Sequence, residues 1–292
     1  MIITVGIITH NRSETISRCL KSLALQTRPP DEIVVVDTSD DNKTELLINK
    51  IKMPVKYTRP KNRIRQPAAR NMILKNSKGD IIAFLDDDTV PKKFWLENVE
   101  KSFGHDKNIA GACGPAIDCD KNLNPTHKML RTDRNQNFFT SCGDVREKTR
   151  LWVPPRPVKC SVMLGANMAF RTDKLKEVGG FVDFYTGGYG FREENFPQVA
   201  LIKKGYTFLY NPKVFVWHIK KRAGGAEKDF EHYYLCGKYH RYFADKFFPK
   251  WKSRLSWIFW SFSPPCLWIC IILSVIRRDK SILRWQKGLW GF

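Results

Sequence analysis

The amino-acid sequence predicts an α/β fold, because short apolar strands alternate with segments of helical periodicity through its first hundred residues. Strand patterns occupy residues 2–9, 32–37, 55–58 and 80–85. The first, second and fourth are nearly continuous apolar runs, which are typical of strands buried on both faces of a sheet. Strands that alternate with helices favour parallel pairing.

Helical periodicity fills the intervals between these strands and returns after the last one, at residues 13–25, 42–51, 67–76 and 94–103. In the first of these segments, Ile16, Leu20 and Leu23 share one face. Ligands of parallel α/β sheets bind beyond the carboxyl ends of the strands. Asp37 and Asp86 stand at two such ends, so the sequence predicts a binding site at this edge.

The pattern weakens in the second half of the chain. Residues 114–159 are polar and basic and show no clear periodicity, as in many functional loops. Regular patterns return at residues 160–171, 172–178, 194–204, 206–210 and 214–218. We predict one domain over residues 1–220, with halves at 1–112 and 113–220. A basic, aromatic helical tail is expected over residues 221–292.

The tail contains an apolar segment, residues 257–276, that carries no charge and is flanked by basic residues. Its length suits a hydrocarbon core about 30 Å thick. Pro264 and Pro265 lie near its middle, where they would break an ordinary helix. Three interpretations stay open: a membrane span, an interfacial or re-entrant helical pair, and a helix packed on protein. We expect the tail to associate with a membrane.

Charge points to anionic partners, because 50 Lys and Arg residues face 29 Asp and Glu residues, for a net charge of +21. Such a surplus suits diphosphates, anionic lipid or nucleic acid. The eight cysteines include no Cys-x-x-Cys pair, which disfavours a zinc ribbon. The first residues read as a strand and lack the basic start of a signal peptide.

Three consecutive acids, Asp86, Asp87 and Asp88, follow the fourth predicted strand. Their carboxylates repel one another unless a cation neutralises them. Mg²⁺ and Mn²⁺ prefer oxygen ligands and commonly link carboxylates to phosphates. The sequence therefore indicates a divalent metal site, and a solvated acidic turn is the alternative.

Seven segments resemble, in order, the inverting family 2 glycosyltransferases of GT-A fold: ITHNR, VVVDTSDD, PAARN, FLDDD, GANMAFR, FREENFPQVALIKKGY and NPKVFVWH. The resemblance covers about residues 1–220. It implies a Rossmann-like nucleotide-binding sheet with helices on both faces. It also implies transfer of a single sugar from a UDP- or GDP-linked donor to a saccharide or polyprenol-linked acceptor.

The resemblance also assigns roles to single residues. Donor contacts are expected from Thr9, Asn11, Asp37, Arg70, Asp86 and Asp87. Asp88, Asp86 and His218 would hold Mg²⁺ or Mn²⁺, and Gly165, Asn167 and Trp152 would face the acceptor sugar. Arg70 offers planar donors that suit a diphosphate or a base.

The predicted catalytic base is Glu194, with Glu193 as a neighbour that could take its place. An inverting transfer needs one carboxylate that removes the proton of the acceptor hydroxyl. The alternative is that both acids simply favour a helix N-terminus. Many relatives carry an acid two positions after the base, where this sequence has Phe196.

Two other functions are compatible with parts of the sequence. A nucleotidyltransferase also places carboxylates beyond an α/β sheet, but the first strand is not followed by a Gly-rich phosphate loop. A non-catalytic protein that binds anionic lipid or nucleic acid would fit the charge. No nucleic-acid-binding motif is present, so we expect no nucleic-acid partner. We expect the protein at the cytoplasmic face of a membrane.

Overall fold

The computed structural model describes residues 1–51, 53–183, 191–219 and 230–255, which form three sheets and seven helices. The strands are β1 (Ile3–Thr9), β2 (Glu32–Asp37), β3 (Val55–Thr58), β4 (Ile81–Asp86), β5 (Thr89–Pro91), β6 (Ile109–Cys113), β7 (Ala116–Cys119), β8 (Phe138–Phe139), β9 (Val145–Arg146), β10 (Val158–Cys160), β11 (Asn167–Arg171), β12 (Thr207–Tyr210) and β13 (Val216–Ile219). The helices are α1 (Ser13–Ala24), α2 (Lys43–Ile48), α3 (Gln66–Asn76), α4 (Trp95–Phe103), α5 (Thr172–Glu177), α6 (Asn195–Lys203) and α7 (Phe230–Phe247).

The central sheet has eight strands in the order β10-β12-β6-β11-β4-β1-β2-β3. Strands β3, β2, β1 and β4 are parallel, and Thr9 pairs with Asp37 while Ile8 pairs with Asp86. The carboxyl ends of three strands therefore meet at one edge, as the sequence predicts. The parallel pairing predicted for the strands of the first hundred residues is present, whereas β11, from the second half of the chain, runs antiparallel to both β4 and β6.

Alternating side chains of the central strands enter two cores, one on each face of the sheet. Ile33 and Val35 of β2 join α1 and α4 on one face, whereas Val34 and Val36 join α3 on the other. A Cβ on Gly6 would lie 2.6 Å from Ile73, so this glycine lets α3 approach β1 closely. Helices cover both faces, and the α/β fold predicted from the sequence is confirmed.

A smaller sheet, in the order β5-β13-β7, brings distant segments to the same edge. Strand β5 follows the three aspartates directly, and its Thr89 pairs with His218 of β13. His218 in turn pairs with Asp118 of β7. This register places a histidine and a further acid beside the end of β4.

The first described part of the predicted tail packs on the domain. Helix α7 contacts α6 through a cluster that contains Phe196, Val199, Leu235, Tyr239 and Phe243. Among the described residues, no helix is both long and apolar enough to cross a membrane. The apolar segment 257–276 lies outside the described residues.

Candidate active site

The aspartate cluster, which comprises Asp86, Asp87 and Asp88, lies where β4 ends and turns into β5. Asp86, Asp88 and His218 each offer a ligand atom, and these atoms lie within 4.8 Å of one another. Two carboxylates and an imidazole at such distances match the donor set of a divalent metal ion. The predicted grouping of these three residues is therefore present in the structure.

Asp87 is not one of these three residues, and it is almost wholly buried. One of its oxygens accepts a hydrogen bond from Thr9 Oγ1 at 2.7 Å, and the other accepts one from Arg12 Nη1 at 3.0 Å. Burial and the charge of Asp88 raise the pKa of Asp87 to about 7, against the opposing effects of Arg12 and Thr9. Asp87 and Thr9 are buried and bonded to each other, and their contact with a donor stays a prediction.

Asp88 offers a buried oxygen, Oδ1, that accepts no hydrogen bond from the described residues. His218 Nε2 lies 3.4 Å from this oxygen. Burial of an unbonded carboxylate oxygen is costly, unless a cation takes the place of the missing donor. Burial and the neighbouring Asp86 also raise the pKa of Asp88. The Asp88 oxygen thus fits a metal ligand.

His218 is held from behind by Asp118, whose Oδ1 lies 3.0 Å from Nδ1. Arg150 Nη1 donates to the same Asp118 oxygen at 2.8 Å and also lies 2.9 Å from Nδ1. Asp118 favours a proton on Nδ1, whereas the guanidinium of Arg150, which only donates, favours a lone pair there, so the two contacts favour opposite tautomers of His218. Burial opposes the effect, but hydrogen bonds from His218 and Arg150 hold the pKa of Asp118 well below its usual range.

Arg70 connects the aspartate cluster with the glutamate pair, Glu193 and Glu194. It is a fully buried side chain, and its Nε donates to Glu193 Oε1 at 2.7 Å. Its Nη2 lies 3.9 Å from Asp86 Oδ1, and its guanidinium lies over the ring of Phe84 at 5.3 Å. Burial lowers the pKa of Arg70, but the surrounding carboxylates outweigh it and raise the pKa. Arg70 thus stays charged in an apolar pocket.

The two members of the glutamate pair differ in exposure. Glu193 is 1% exposed, and its Oε2 accepts no hydrogen bond from the described residues. Burial raises the pKa of Glu193 to about 8, with a further contribution from Glu194 and an opposing one from Arg70. Glu194 is half-buried, directly precedes α6, and also has a pKa raised by burial. Solvent and a substrate therefore reach Glu194 more readily than Glu193.

The glycosyl transferase family 2 model matches residues 4–179, which is more than half of the chain. The chain belongs to glycosyl transferase family 2. The resemblance to family 2 is thereby confirmed, together with the expectation that the protein is a glycosyltransferase.

Similar proteins agree with this assignment. The O-antigen chain rhamnosyltransferase RfbN of Salmonella typhimurium is 24% identical over 242 residues, which are 82% of this chain and 73% of the relative. GalNAc-T7, solved with UDP, GalNAc and Mn²⁺, gives a TM-score of 0.63 at 19% identity over 83% of this chain. The match spans only 49% of the length of GalNAc-T7.

A second solved structure is the mannosyltransferase PcManGT from Pyrobaculum calidifontis, in complex with GDP-Man and Mn²⁺. It gives a TM-score of 0.57 at 15% identity, over 99% of this chain and 84% of its own. At these identities both structures show the fold alone, and they confirm the GT-A architecture.

The three residues predicted to face an acceptor sugar are buried in this family 2 glycosyltransferase. Asn167 is buried; its Nδ2 donates to the backbone carbonyl of Val214 at 2.8 Å, and its Oδ1 accepts from Trp95 Nε1 at 2.9 Å. Trp152 is fully buried and stacks on Tyr210 with ring centroids 4.2 Å apart.

Gly165 is the third of these residues, and it is likewise buried. A Cβ at this position would lie 2.7 Å from Arg70 Nη2. Gly165 therefore makes room for the Arg70 guanidinium. Gly165, Asn167 and Trp152 are all buried, and their contacts with an acceptor sugar stay a prediction.

Two further predicted donor residues lie on the loops that follow β1 and β2. Asp37 is fully buried and accepts hydrogen bonds from the Ser39 backbone N–H at 2.9 Å and from Tyr57 Oη at 2.8 Å. Asn11 is exposed, has a φ of 53°, and exchanges hydrogen bonds with Asp40 at 2.7 and 3.0 Å. Asp37 thus orders the loop, and Asn11 faces solvent at the edge of the cleft.

Sequence reasoning did not single out Arg12, Asp118 or Arg150. Arg12 is the last residue of the ITHNR segment, but the segment alone does not indicate its contacts with Asp87 and Asp88. Asp118 reaches His218 only through the pairing of β7 with β13, a hundred residues apart. Arg150 comes from a loop without periodicity, and no local signal marks it.

Proposed function

We propose that the protein transfers a single sugar, with inversion, from a UDP- or GDP-linked donor to a saccharide or lipid-linked acceptor. The observation that carries this proposal is the convergence of Asp86, Asp88 and His218, with Arg70 between this group and the glutamate pair. Two solved proteins of similar fold hold nucleotide and Mn²⁺. A metal-binding group beside a carboxylate base is what such a transfer requires.

We propose that Asp86, Asp88 and His218 hold Mg²⁺ or Mn²⁺. The unbonded Asp88 oxygen and the position of His218 Nε2, 3.4 Å from that oxygen, support this assignment. When bound, such an ion neutralises negative charge on the departing nucleoside diphosphate. Asn11 lies exposed at the edge where the nucleoside would enter, and the Asp37 loop shapes this side of the cleft.

Glu194 is the proposed general base. Its carboxylate takes the proton of an acceptor hydroxyl while the hydroxyl oxygen forms a bond to the anomeric carbon. The bond from that carbon to the diphosphate breaks, and its electron pair leaves with the diphosphate. A pKa raised by burial makes Glu194 a stronger base than an exposed glutamate. The bond between Arg70 and Glu193 holds the start of α6, where Glu194 lies.

The acceptor is proposed to be a polyprenol-linked saccharide at the cytoplasmic face of a membrane. Near the end of the described residues, Trp251 is 62% exposed between Lys250 and Lys252. Exposed aromatic and basic side chains together suit an anionic lipid surface. Removal of all residues after Phe248 is expected to abolish binding to anionic vesicles and to leave donor binding intact. Vesicle binding by the truncated protein would contradict the membrane role.

The donor is identified by titration of the protein with nucleotide sugars, among them UDP-GalNAc, GDP-mannose and a nucleoside diphosphate rhamnose. Each titration is run with Mn²⁺ and with a chelator, on the wild type, Asp88→Ala and the control Asp133→Ala, which changes an exposed surface pair. We expect one donor to bind in a metal-dependent way and Asp88→Ala alone to lose it. Binding of no donor, together with tight binding of nucleic acid or anionic vesicles, would overturn the proposal.

A further inference from the structure

Arg12 contacts two neighbouring members of the aspartate cluster with one nitrogen. Its Nη1 lies 3.0 Å from Asp87 Oδ1 and 3.0 Å from Asp88 Oδ2. Hydrogen bonds between a guanidinium and a carboxylate are short, strong and directional. Asp88 is therefore fixed through Oδ2, while its Oδ1 faces His218 and accepts no hydrogen bond from the described residues.

Asp87 anchors Arg12 to the sheet. Its second oxygen is held by the hydroxyl of Thr9, the last residue of β1, at 2.7 Å. Thr9 and Asp87 are both buried, so this side of the contact is rigid. Arg12 itself is fixed in the chain, because it is the residue that precedes the first turn of α1. A chain of contacts thus runs from β1 through Asp87 and Arg12 to Asp88.

We propose that Arg12 and Asp87 are positioning residues that orient the Asp88 carboxylate toward the metal site. This inference rests on the metal dependence proposed above. Residues that orient a metal ligand typically change metal affinity by about 10- to 100-fold when they are replaced. The pair therefore sets the affinity for the ion without contacting it.

Charge alone gives a different expectation, and the difference makes a test possible. Arg12 is a cation, so its removal would strengthen the binding of a metal cation if only long-range electrostatics mattered. Asp87 is an acid, so its replacement by asparagine would weaken metal binding on the same grounds. Positioning instead requires that both replacements weaken the binding.

The test measures Mn²⁺ affinity by calorimetric titration for the wild type, Arg12→Gln and Asp87→Asn. The control is Arg18→Gln, which changes an α1 arginine that donates to a backbone carbonyl on an exposed loop. We expect both positioning variants to lose about 10- to 100-fold in affinity, and the control to match the wild type. Arg12→Lys keeps the charge without the planar fork, so we expect its affinity to fall between those of Arg12→Gln and the wild type.

Tighter Mn²⁺ binding by Arg12→Gln would overturn the inference, and so would an unchanged affinity. Thermal unfolding of each variant in chelator shows whether it folds. If Asp87→Asn does not fold, Arg12→Gln decides alone, because its charge effect has the opposite sign to its positioning effect. Absence of Mn²⁺ binding by the wild type would refute the proposed metal site itself, whereas binding by the wild type with unaffected variants would refute only the positioning role.

Discussion

The aspartate cluster and the glutamate pair each contain a buried acid that binds an arginine, but the two buried acids differ in their other hydrogen bonds. Arg12 binds the buried Asp87, and Arg70 binds the buried Glu193. In each case the neighbouring acid, Asp88 or Glu194, keeps an oxygen or an exposed surface that can take part in chemistry. One acid of each set therefore anchors an arginine, and the next acid in the sequence faces the cleft.

The difference between them lies in the buried acids. Both oxygens of Asp87 accept hydrogen bonds, one from Thr9 and one from Arg12. Glu193 accepts one on Oε1 from Arg70, and its Oε2 has no hydrogen-bond donor among the described residues. An unbonded buried oxygen disfavours the charged form of a carboxylate. Of the two buried acids that hold an arginine, Glu193 is thus less completely hydrogen-bonded than Asp87.

The largest expected effect distinguishes the two glutamates. Glu194→Gln removes the proposed base, so we expect kcat to fall by about 10²- to 10⁴-fold while the donor still binds. Glu193→Gln should cost much less activity, because Glu193 has a pKa of about 8 and so already carries a proton near neutral pH. Steady-state kinetics with the donor that the titration identifies checks both. A greater loss of kcat in Glu193→Gln than in Glu194→Gln would identify Glu193 as the base instead.

The next effect tests the arginine that connects the two sites. Arg70→Ala leaves the buried Glu193 without its hydrogen-bond donor, and an unsatisfied buried polar group costs about 1–3 kcal/mol, or more when it is charged. The control is Arg156→Ala, since the pair of Arg156 and Asp133 is exposed and such pairs contribute about 1 kcal/mol or less. Urea unfolding of both variants in chelator gives the two free energies of unfolding. Equal losses would show that the burial of Arg70 adds nothing to its contribution.

The edge that carries the aspartate cluster could be predicted from the sequence because its signals are local. Continuous apolar runs mark β1, β2 and β4, and the acids follow them directly. Parallel pairing then brings the acids together without any further information. The group of three candidate metal ligands needed one more residue, His218, which was predicted from the resemblance to family 2.

The buried contacts of Asn167, Trp152 and Gly165 could not be predicted, because their partners are distant in the sequence. The side-chain amide of Asn167 forms hydrogen bonds with Trp95 and with the carbonyl of Val214, and no sequence pattern near Asn167 predicts either bond. The sequence alone does not show whether a small or aromatic residue in such a motif contacts a ligand or is buried in the core. Burial depends on non-local packing, so it appears only in the folded chain.

A smaller loss of stability is expected from a substitution at Gly165, which lies against the Arg70 guanidinium. A Cβ there would lie 2.7 Å from Arg70 Nη2, so Gly165→Ala forces the guanidinium to move. Overpacking of this kind costs about 1–3 kcal/mol. The same substitution in an Arg70→Lys background should cost less, because lysine has no Nη2. A double-mutant cycle on urea unfolding measures this coupling, and strict additivity would show that the Gly165 side of the pocket is not filled by Arg70.

The smallest effect concerns the protonation of Glu193, where the two sites differ most. Its pKa rises from 4.5 to about 8 on folding, so between these values the native state holds a proton that the unfolded chain releases. This contribution to stability is fully present below the unfolded pKa and is lost as the pH rises through about 8. The free energy of unfolding in chelator should therefore fall, by about 1 kcal/mol between about pH 7 and pH 8. Glu193→Gln cannot release the proton and should lack this component. If the two proteins show the same pH profile, Glu193 is ionised in the folded state, and its bond to Arg70 is an ion pair.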